Sequence, residues 1–390
     1  MKSFSFQGEI PASKSMMNRA LLLQSYQPGL QIVGNSNCDD VRHMKLALAA
    51  FIQKKNIPCG EAGTVIRFMG MRASREKGTF ALLGSPRLLS RPQDELIYIL
   101  NQLSVNVQLL NDQIIIHSEG WKKPMIPIRV HRETSSQFAT ALLLNSWKLP
   151  FDLEFEMKPG VSEGYWQMSV ELAQKAGLVV QKKGDFWKVP AQQELQPHQI
   201  MMEPDYSSAF ALAAAGALCG ETVITNATAT SFQPDYIFID LLKKMNIPVE
   251  LKDQQLKVRQ AQEIKPLDIS LHSSPDLFPV LSVLCAFSKG ESILKGATHL
   301  AHKESHRVEK TAELLRLAGF YAKLRPDGLQ IQGQGKGFKP QKFEFDPDQD
   351  HRMAMAAGIL KLQGFDVKIH QPQVVSKSFP EFWRALGIQA

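Results

Sequence analysis

Two carboxylates and five cations stand at polar openings scattered along the 390-residue chain: Asp276 and Glu304, with Arg91, Lys303, Arg307, Arg352 and Lys377. An acid amid cations serves as a counter-ion, or as a group that activates a hydroxyl or carries a proton. A further opening, "PASKSMMNRALLL" at 11–23, puts Lys14, Asn18 and Arg19 where a polar run becomes an apolar helix. Cations are disfavoured at the positive end of a helix dipole unless something negative shares the site. Backbone N–H groups, a serine hydroxyl, an ammonium and a guanidinium at one helix end form a receptor for phosphate or carboxylate. Taken singly, each of these charges reads as a solvated surface group, and Ser13 as an ordinary N-cap. Recurrence at equivalent places in a repeat favours a shared anion site.

Other chemistries fit less well. His302 and His306 have i, i+4 spacing, but Lys303 and Arg307 interleave them and no third metal ligand is evident. No GxxxxGK[ST] phosphate loop occurs. The four cysteines, at 38, 59, 219 and 285, lack zinc or redox spacing and read as small core residues. An excess of 45 basic over 38 acidic residues, net +7, admits nucleic acid or small anions as partners. The prominent cations are single residues at element ends, and "QGQGKGFK" at 332–339 reads as an exposed loop, so small anions are expected and nucleic acid is not. The apolar run "AFALAAAGALC" at 209–219 is too short to span a bilayer, and the first ten residues alternate like a strand, unlike a signal peptide. A cytoplasmic protein with no membrane partner is expected.

With 44% apolar and 21% charged residues the chain is globular, and its length implies two or three domains. Six segments share one plan, a polar opening followed by about a dozen mostly apolar residues: "SKSMMNRALLLQS", "AGTVIRFMGMRAS", "SSQFATALLLNSW", "SSAFALAAAGALCG", "SPDLFPVLSVLCAFSKG" and "DHRMAMAAGILKLQG". Their openings, near 13, 62, 135, 207, 274 and 350, lie 49, 73, 72, 67 and 76 residues apart. Amphipathic helices such as "DDVRHMKLALAAF" and hairpins such as "VELKDQQLKVRQ" and "AKLRPDGLQIQG" fall between them. A helix with no polar face must be buried all round, so three such units around one axis would aim three polar openings the same way. Two such globules facing each other would line one anion cleft.

These motifs together resemble the 5-enolpyruvylshikimate-3-phosphate synthase family of enolpyruvyl transferases, from residue 7 to about 388. The pattern consists of "SKSMMNRALLL", "DDVRHM", "AGT…R", "PR…RP", "SSQF.TALL", "D.SSA", "PD", "KES.R" and "DHRMAMA…SKSFP", in that order. The resemblance implies a mixed α/β (α+β) fold of two similar domains. Each would hold three βαβαββ-type units with buried parallel helices, an inside-out α/β barrel, and the active site would lie in the interdomain cleft. Residues 1–12 with 204–390 would form one domain and 13–203 the other. It implies further that shikimate 3-phosphate is held by Lys14, Ser15, Arg19, Ser135, Ser136, Gln137, Ser162, Tyr165, Asp276 and Lys303. Phosphoenolpyruvate would be held by Lys14, Gly63, Arg91, Gln137, Glu304, Arg307, His351, Arg352 and Lys377. Asp276 would take the hydroxyl proton, Glu304 would exchange the proton at C3, and Lys14 would assist the departing phosphate. The resemblance implies no metal and no organic cofactor, and a monomer is expected.

Four departures from the family pattern bear on substrate identity and rate: Glu61 for Asn, His299 for Asn, Glu163-Gly164 for Lys-Pro, and His306 for Asp. An acid facing the phosphoenolpyruvate pocket would repel that anion by about 1–4 kcal/mol at 4 Å, depending on screening; the alternative is that Glu61 turns away, pairs with Arg67 or Arg87, or caps the helix starting at Gly63. Two other readings stay open, a transferase for a different alcohol and a non-catalytic anion-binding relative.

Overall fold

Six helices lack a polar face, and each is enclosed by its own unit's sheets and neighbouring helices. They are α1 (Lys14–Gln24), α2 (Gly63–Ser74), α3 (Gln137–Ser146), α4 (Tyr206–Cys219), α5 (Phe278–Ala286) and α6 (His351–Leu362). Every residue of α5 is buried, as is α4 from Tyr206 to Leu218. The computed structural model describes residues 4–196 and 198–389. In it the chain divides into two units: one holds the N-terminal residues up to Ala12 together with Glu203 onward, the other Ser13–Met202. α1, α2 and α3 pack on one another in the second unit, and α4, α5 and α6 do so in the first.

Four sheets repeat one topology. In the sheet ordered Ile57–Gly60, Lys77–Gly84, Gln113–Glu119, Asn106–Leu109, the first pair is parallel and the next two antiparallel. The same order recurs in the sheets built on Ile128–Val130, Phe4–Gly8 and Asp268–Ser270. Two units are reduced to a parallel pair, Gln31–Val33 with Gln199–Met201 and Lys342–Phe345 with Asp366–Ile369. The reduction explains the short 49-residue first spacing. Only four residues separate helix Asp39–Ile52 from strand Ile57–Gly60, which leaves no length for a hairpin. The expected six full βαβαββ units are therefore four full and two truncated ones.

Polar residues start the helices as their chemistry requires. Ser13 accepts the Met16 N–H at 3.5 Å, Asp205 the Ser208 N–H at 2.9 Å, and Asp350 the Arg352 N–H at 2.9 Å. The hairpin turn at Asp253 and Gln254 holds both residues at positive φ, the geometry that matches strand twist. Among the described residues no helix is long and apolar enough to cross a membrane.

Candidate active site

The polar openings carry two dense side-chain networks, one in each unit. In the unit that holds both termini, Arg307 is the hub and is 1% exposed. It sits in the first turn of helix Arg307–Leu317, which follows the 3₁₀ turn Thr298–His302. Its Nε donates to Asp350 Oδ2 at 2.7 Å, Nη1 to Asp276 Oδ1 at 2.8 Å, and Nη2 to Glu304 Oε2 at 2.9 Å. Arg352, one residue into α6, donates from Nη2 to Asp276 Oδ2 at 2.6 Å. Lys377, which closes the 3₁₀ turn Pro372–Lys377, lies 3.9 Å from Glu304 Oε1.

Burial would lower the Arg307 pKa, but Asp350, Glu304 and Asp276 outweigh it and raise it above the usual arginine range. The three carboxylates are not equivalent. Asp350 has no exposed side-chain surface, whereas Asp276 and Glu304 keep 17% and 16%. Asp350 also caps α6 and accepts from Ser305 at 3.1 Å, so it fixes the frame while the other two face outward. Lys303 is half-buried at the end of the 3₁₀ turn, and His351 is buried in the first turn of α6, its Nδ1 3.7 Å from Asp350. His299 is 2% exposed, neither ring nitrogen has a hydrogen-bond partner, and the His272 ring meets it edge-on at 5.9 Å. Burial, with Lys303 and His272 nearby, pushes its pKa down to about 3, so the ring is neutral at pH 7.

In the other unit the cations rest mainly on neutral oxygens. Arg19, 2% exposed, donates from Nε to Ser169 Oγ at 2.8 Å, from Nη1 to Ser15 O at 2.7 Å and from Nη2 to Tyr165 O at 3.3 Å. Burial lowers its pKa to about 9, and it stays protonated at neutral pH. Ser169 also meets Thr140 Oγ1 at 2.7 Å, which ties α1 and α3 to helix Glu163–Lys175. Lys14 pairs with Asp40 Oδ2 at 3.1 Å, an acid in the first turn of helix Asp39–Ile52. That pair resolves the cation at the start of α1: a nearly buried carboxylate shares its place.

Gln137 opens α3 with its amide already aligned. Nε2 donates to Thr64 Oγ1 at 3.1 Å, and Oε1 accepts from Arg67 Nη1 at 2.8 Å. Arg67 continues to Pro92 O at 3.1 Å, beside Arg91. A Cβ on Gly63 would lie 2.9 Å from Arg91 Nη1, so only glycine lets that guanidinium lie against the start of α2. Ser135 Oγ accepts the Gln137 N–H at 3.2 Å, and Ser136 is the N-cap of α3. Ser162 is held at φ 56 and ψ 42, costly for a non-glycine residue, with its buried hydroxyl unpartnered. Glu61 is exposed in the turn before α2.

The structure thus joins Asp276, Glu304, Arg307, Arg352 and Lys377 in one network. It joins Arg19, Ser15 and Tyr165 in another, linked through Ser169 and Thr140 to the helix that Gln137 opens. Asp40 and Asp350 stand in the quoted motifs with no role assigned to them, and Arg67 only as a partner considered for Glu61. Their signal was weak, since an acid at a helix start reads first as a cap. Glu163 pairs with the buried Arg132 at 2.6 Å, which accounts for an acid where the family pattern has lysine. Among the described residues no group of three or more His, Cys, Asp or Glu could hold a metal ion.

Each unit thus carries guanidinium and ammonium groups at the openings of its buried helices, paired with carboxylates or neutral oxygens, on a fold of repeated α/β units. The chain belongs to the EPSP synthase (3-phosphoshikimate 1-carboxyvinyltransferase) family, whose model matches residues 49–386. It is 34% identical to the 3-phosphoshikimate 1-carboxyvinyltransferase of Pyrococcus abyssi over 84% of this chain and 77% of that protein. A Shewanella baltica relative of the same name is 29% identical over 96% of this chain and 94% of its own. The fold matches the EPSP synthase structure from Acinetobacter baumannii with a TM-score of 0.76 at 19% identity, covering 99% and 96% of the two chains.

Proposed function

We propose that this protein transfers the enolpyruvyl group of phosphoenolpyruvate to the 5-hydroxyl of shikimate 3-phosphate and releases phosphate, a step toward chorismate and the aromatic amino acids. The observation that supports this reading best is the Arg307 clamp, which holds two partly exposed carboxylates, Asp276 and Glu304, among three cations.

The hydroxyl oxygen bonds to C2 of the enol while C3 gains a proton. Phosphate then leaves from C2 as C3 loses one. Asp276 takes the hydroxyl proton and Glu304 gives and recovers the C3 proton. Both Asp276 oxygens are occupied by arginine, so an incoming carboxylate or phosphate must compete for Arg352 and thereby release Asp276 Oδ2. Lys14 assists the leaving phosphate. Lys14, Gly63, Arg91, Gln137, Arg307, His351, Arg352 and Lys377 hold phosphoenolpyruvate. Lys14, Ser15, Arg19, Ser135, Ser136, Gln137, Ser162, Tyr165 and Lys303 hold shikimate 3-phosphate, for which the unpartnered Ser162 hydroxyl is a ready donor. Arg19 braces this group, since three of its donors already serve the helices. The protein acts as a cytoplasmic monomer; its four free thiols suit a reducing compartment.

Phosphate release from phosphoenolpyruvate tests the reading. Release only when shikimate 3-phosphate is present is the expected result. Release with another alcohol but not with this one overturns the acceptor assignment.

A further inference from the structure

Ser162 opens helix Glu163–Lys175 in the left-handed region, where an N-cap residue ordinarily keeps an extended backbone and turns its hydroxyl onto the helix's own N–H groups. This one makes no such bond. Its hydroxyl is buried and unpartnered, so the strained backbone satisfies no polar group of that side chain within the protein. A serine persists in this conformation only where the surrounding structure fixes it.

Arg132 reaches both flanks of Ser162. It is 4% exposed and follows strand Ile128–Val130, whose parallel neighbour Leu153–Met157 leads into the Ser162 segment. Before Ser162, Arg132 Nη2 donates to Lys158 O at 3.1 Å, and Arg132 O accepts the Val161 N–H at 2.9 Å. After Ser162, the same Nη2 lies 2.6 Å from Glu163 Oε2. A Cβ on Gly160 would lie 2.6 Å from Arg132 Cβ and 2.8 Å from Arg132 O, so a glycine is needed for the segment to lie directly on this residue. From Arg132 the chain runs on to Ser135, whose Oγ accepts the Gln137 N–H, and so the strap stands between two openings assigned to the acceptor.

We propose that Arg132 is a positioning residue for the acceptor: it straps the 158–163 segment so that Ser162 stays left-handed, its hydroxyl withheld from its own helix and kept for shikimate 3-phosphate. The inference rests on the assignment of Ser162 to that substrate. Arg132 acts through Ser162 and need touch neither substrate.

Arg132→Met removes the strap together with its charge, whereas Gly160→Ala forces the segment off Arg132 with every charge in place. Each should raise KM for shikimate 3-phosphate about tenfold, while kcat and KM for phosphoenolpyruvate change by less than about threefold. Ser162→Ala, itself costing about tenfold, should add less than about twofold in either background, because the hydroxyl is already misplaced; a loss through charge alone would multiply with it. In the ligand-free full chain, the backbone ¹³C shifts of Ser162 should leave their left-handed values in both variants. The inference is overturned by effects that multiply with Ser162→Ala, by a KM rise confined to Arg132→Met, or by unmoved Ser162 shifts. Should one variant fail to fold, the other decides through its own cycle and shifts. Wild type that releases no phosphate with shikimate 3-phosphate overturns the acceptor reading instead, and the Ser162 shifts, which need no substrate, still judge the strap.

Discussion

Lys14 apart, which pairs with Asp40, the two units hold their site arginines in opposite ways. Around Arg307 three carboxylates face three cations, so charge is neutralised inside the network and a change of partner exposes a base. Arg19 and Arg67 instead rest on hydroxyl, amide and carbonyl oxygens, and their positive charge is not cancelled by those contacts. The first arrangement suits proton transfer. The second suits standing electrostatic reception of an anion at little reorganisation cost.

That division of labour is broken or sharpened most directly by kinetics. Asp276→Asn and Glu304→Gln should each lower kcat by about a hundredfold or more, the usual weight of a positioned proton-transfer group. Gln137→Ala, in the other unit, should raise KM for both substrates by about tenfold while kcat changes little. Steady-state kinetics of the three variants checks this, and a kcat loss at Gln137 matching that at Asp276 would erase the distinction.

A smaller effect separates the units by pH. His299 is neutral in the folded protein with its pKa near 3, while an unfolded histidine titrates near 6.5. Between those values the unfolded chain binds more protons, so stability falls as pH drops through this window, by at most about 1.4 kcal/mol per pH unit. Urea unfolding at pH 7 and 4.5 should show wild type losing about 2 kcal/mol more than His299→Asn. Equal losses would mean His299 is not kept neutral by its surroundings.

The smallest change is expected at Glu61. Its exposed carboxylate is screened by solvent, which places any repulsion at the lower end of the range, about 1 kcal/mol. Glu61→Asn should therefore lower KM for phosphoenolpyruvate by no more than about fivefold. A tenfold fall would place the carboxylate against the anion.

Burial of the six helices was legible because stretches such as "AFALAAAGALC" offer water no polar face. Ser13 was legible as a cap because a serine before an apolar helix has one obvious task. Partnership was not legible. Nothing local tells that Asp40 neutralises Lys14, that Arg67 aligns Gln137, or that Asp350, a plain N-cap in the sequence, also anchors Arg307 from 43 residues away. Long-range pairing is a property of the fold, and the hairpin missing after Ile52 was visible only as a shortened interval.

The strand Phe4–Gly8 pairs with Gly220–Ile224, and Ile10 N–H reaches Asn226, 216 residues further on. The approach is so close that a Cβ at Gly220 would sit 1.8 Å from Phe4 O. On a ribosome adding about 5–20 residues per second, that partner emerges roughly 10–40 s after the strand itself. In the interval the 13–202 unit can close its last pair, Gln199–Met201 on Gln31–Val33. The strand Phe4–Gly8 thus waits with an open edge until its partner is made, and cover of that edge is most valuable during that half-minute.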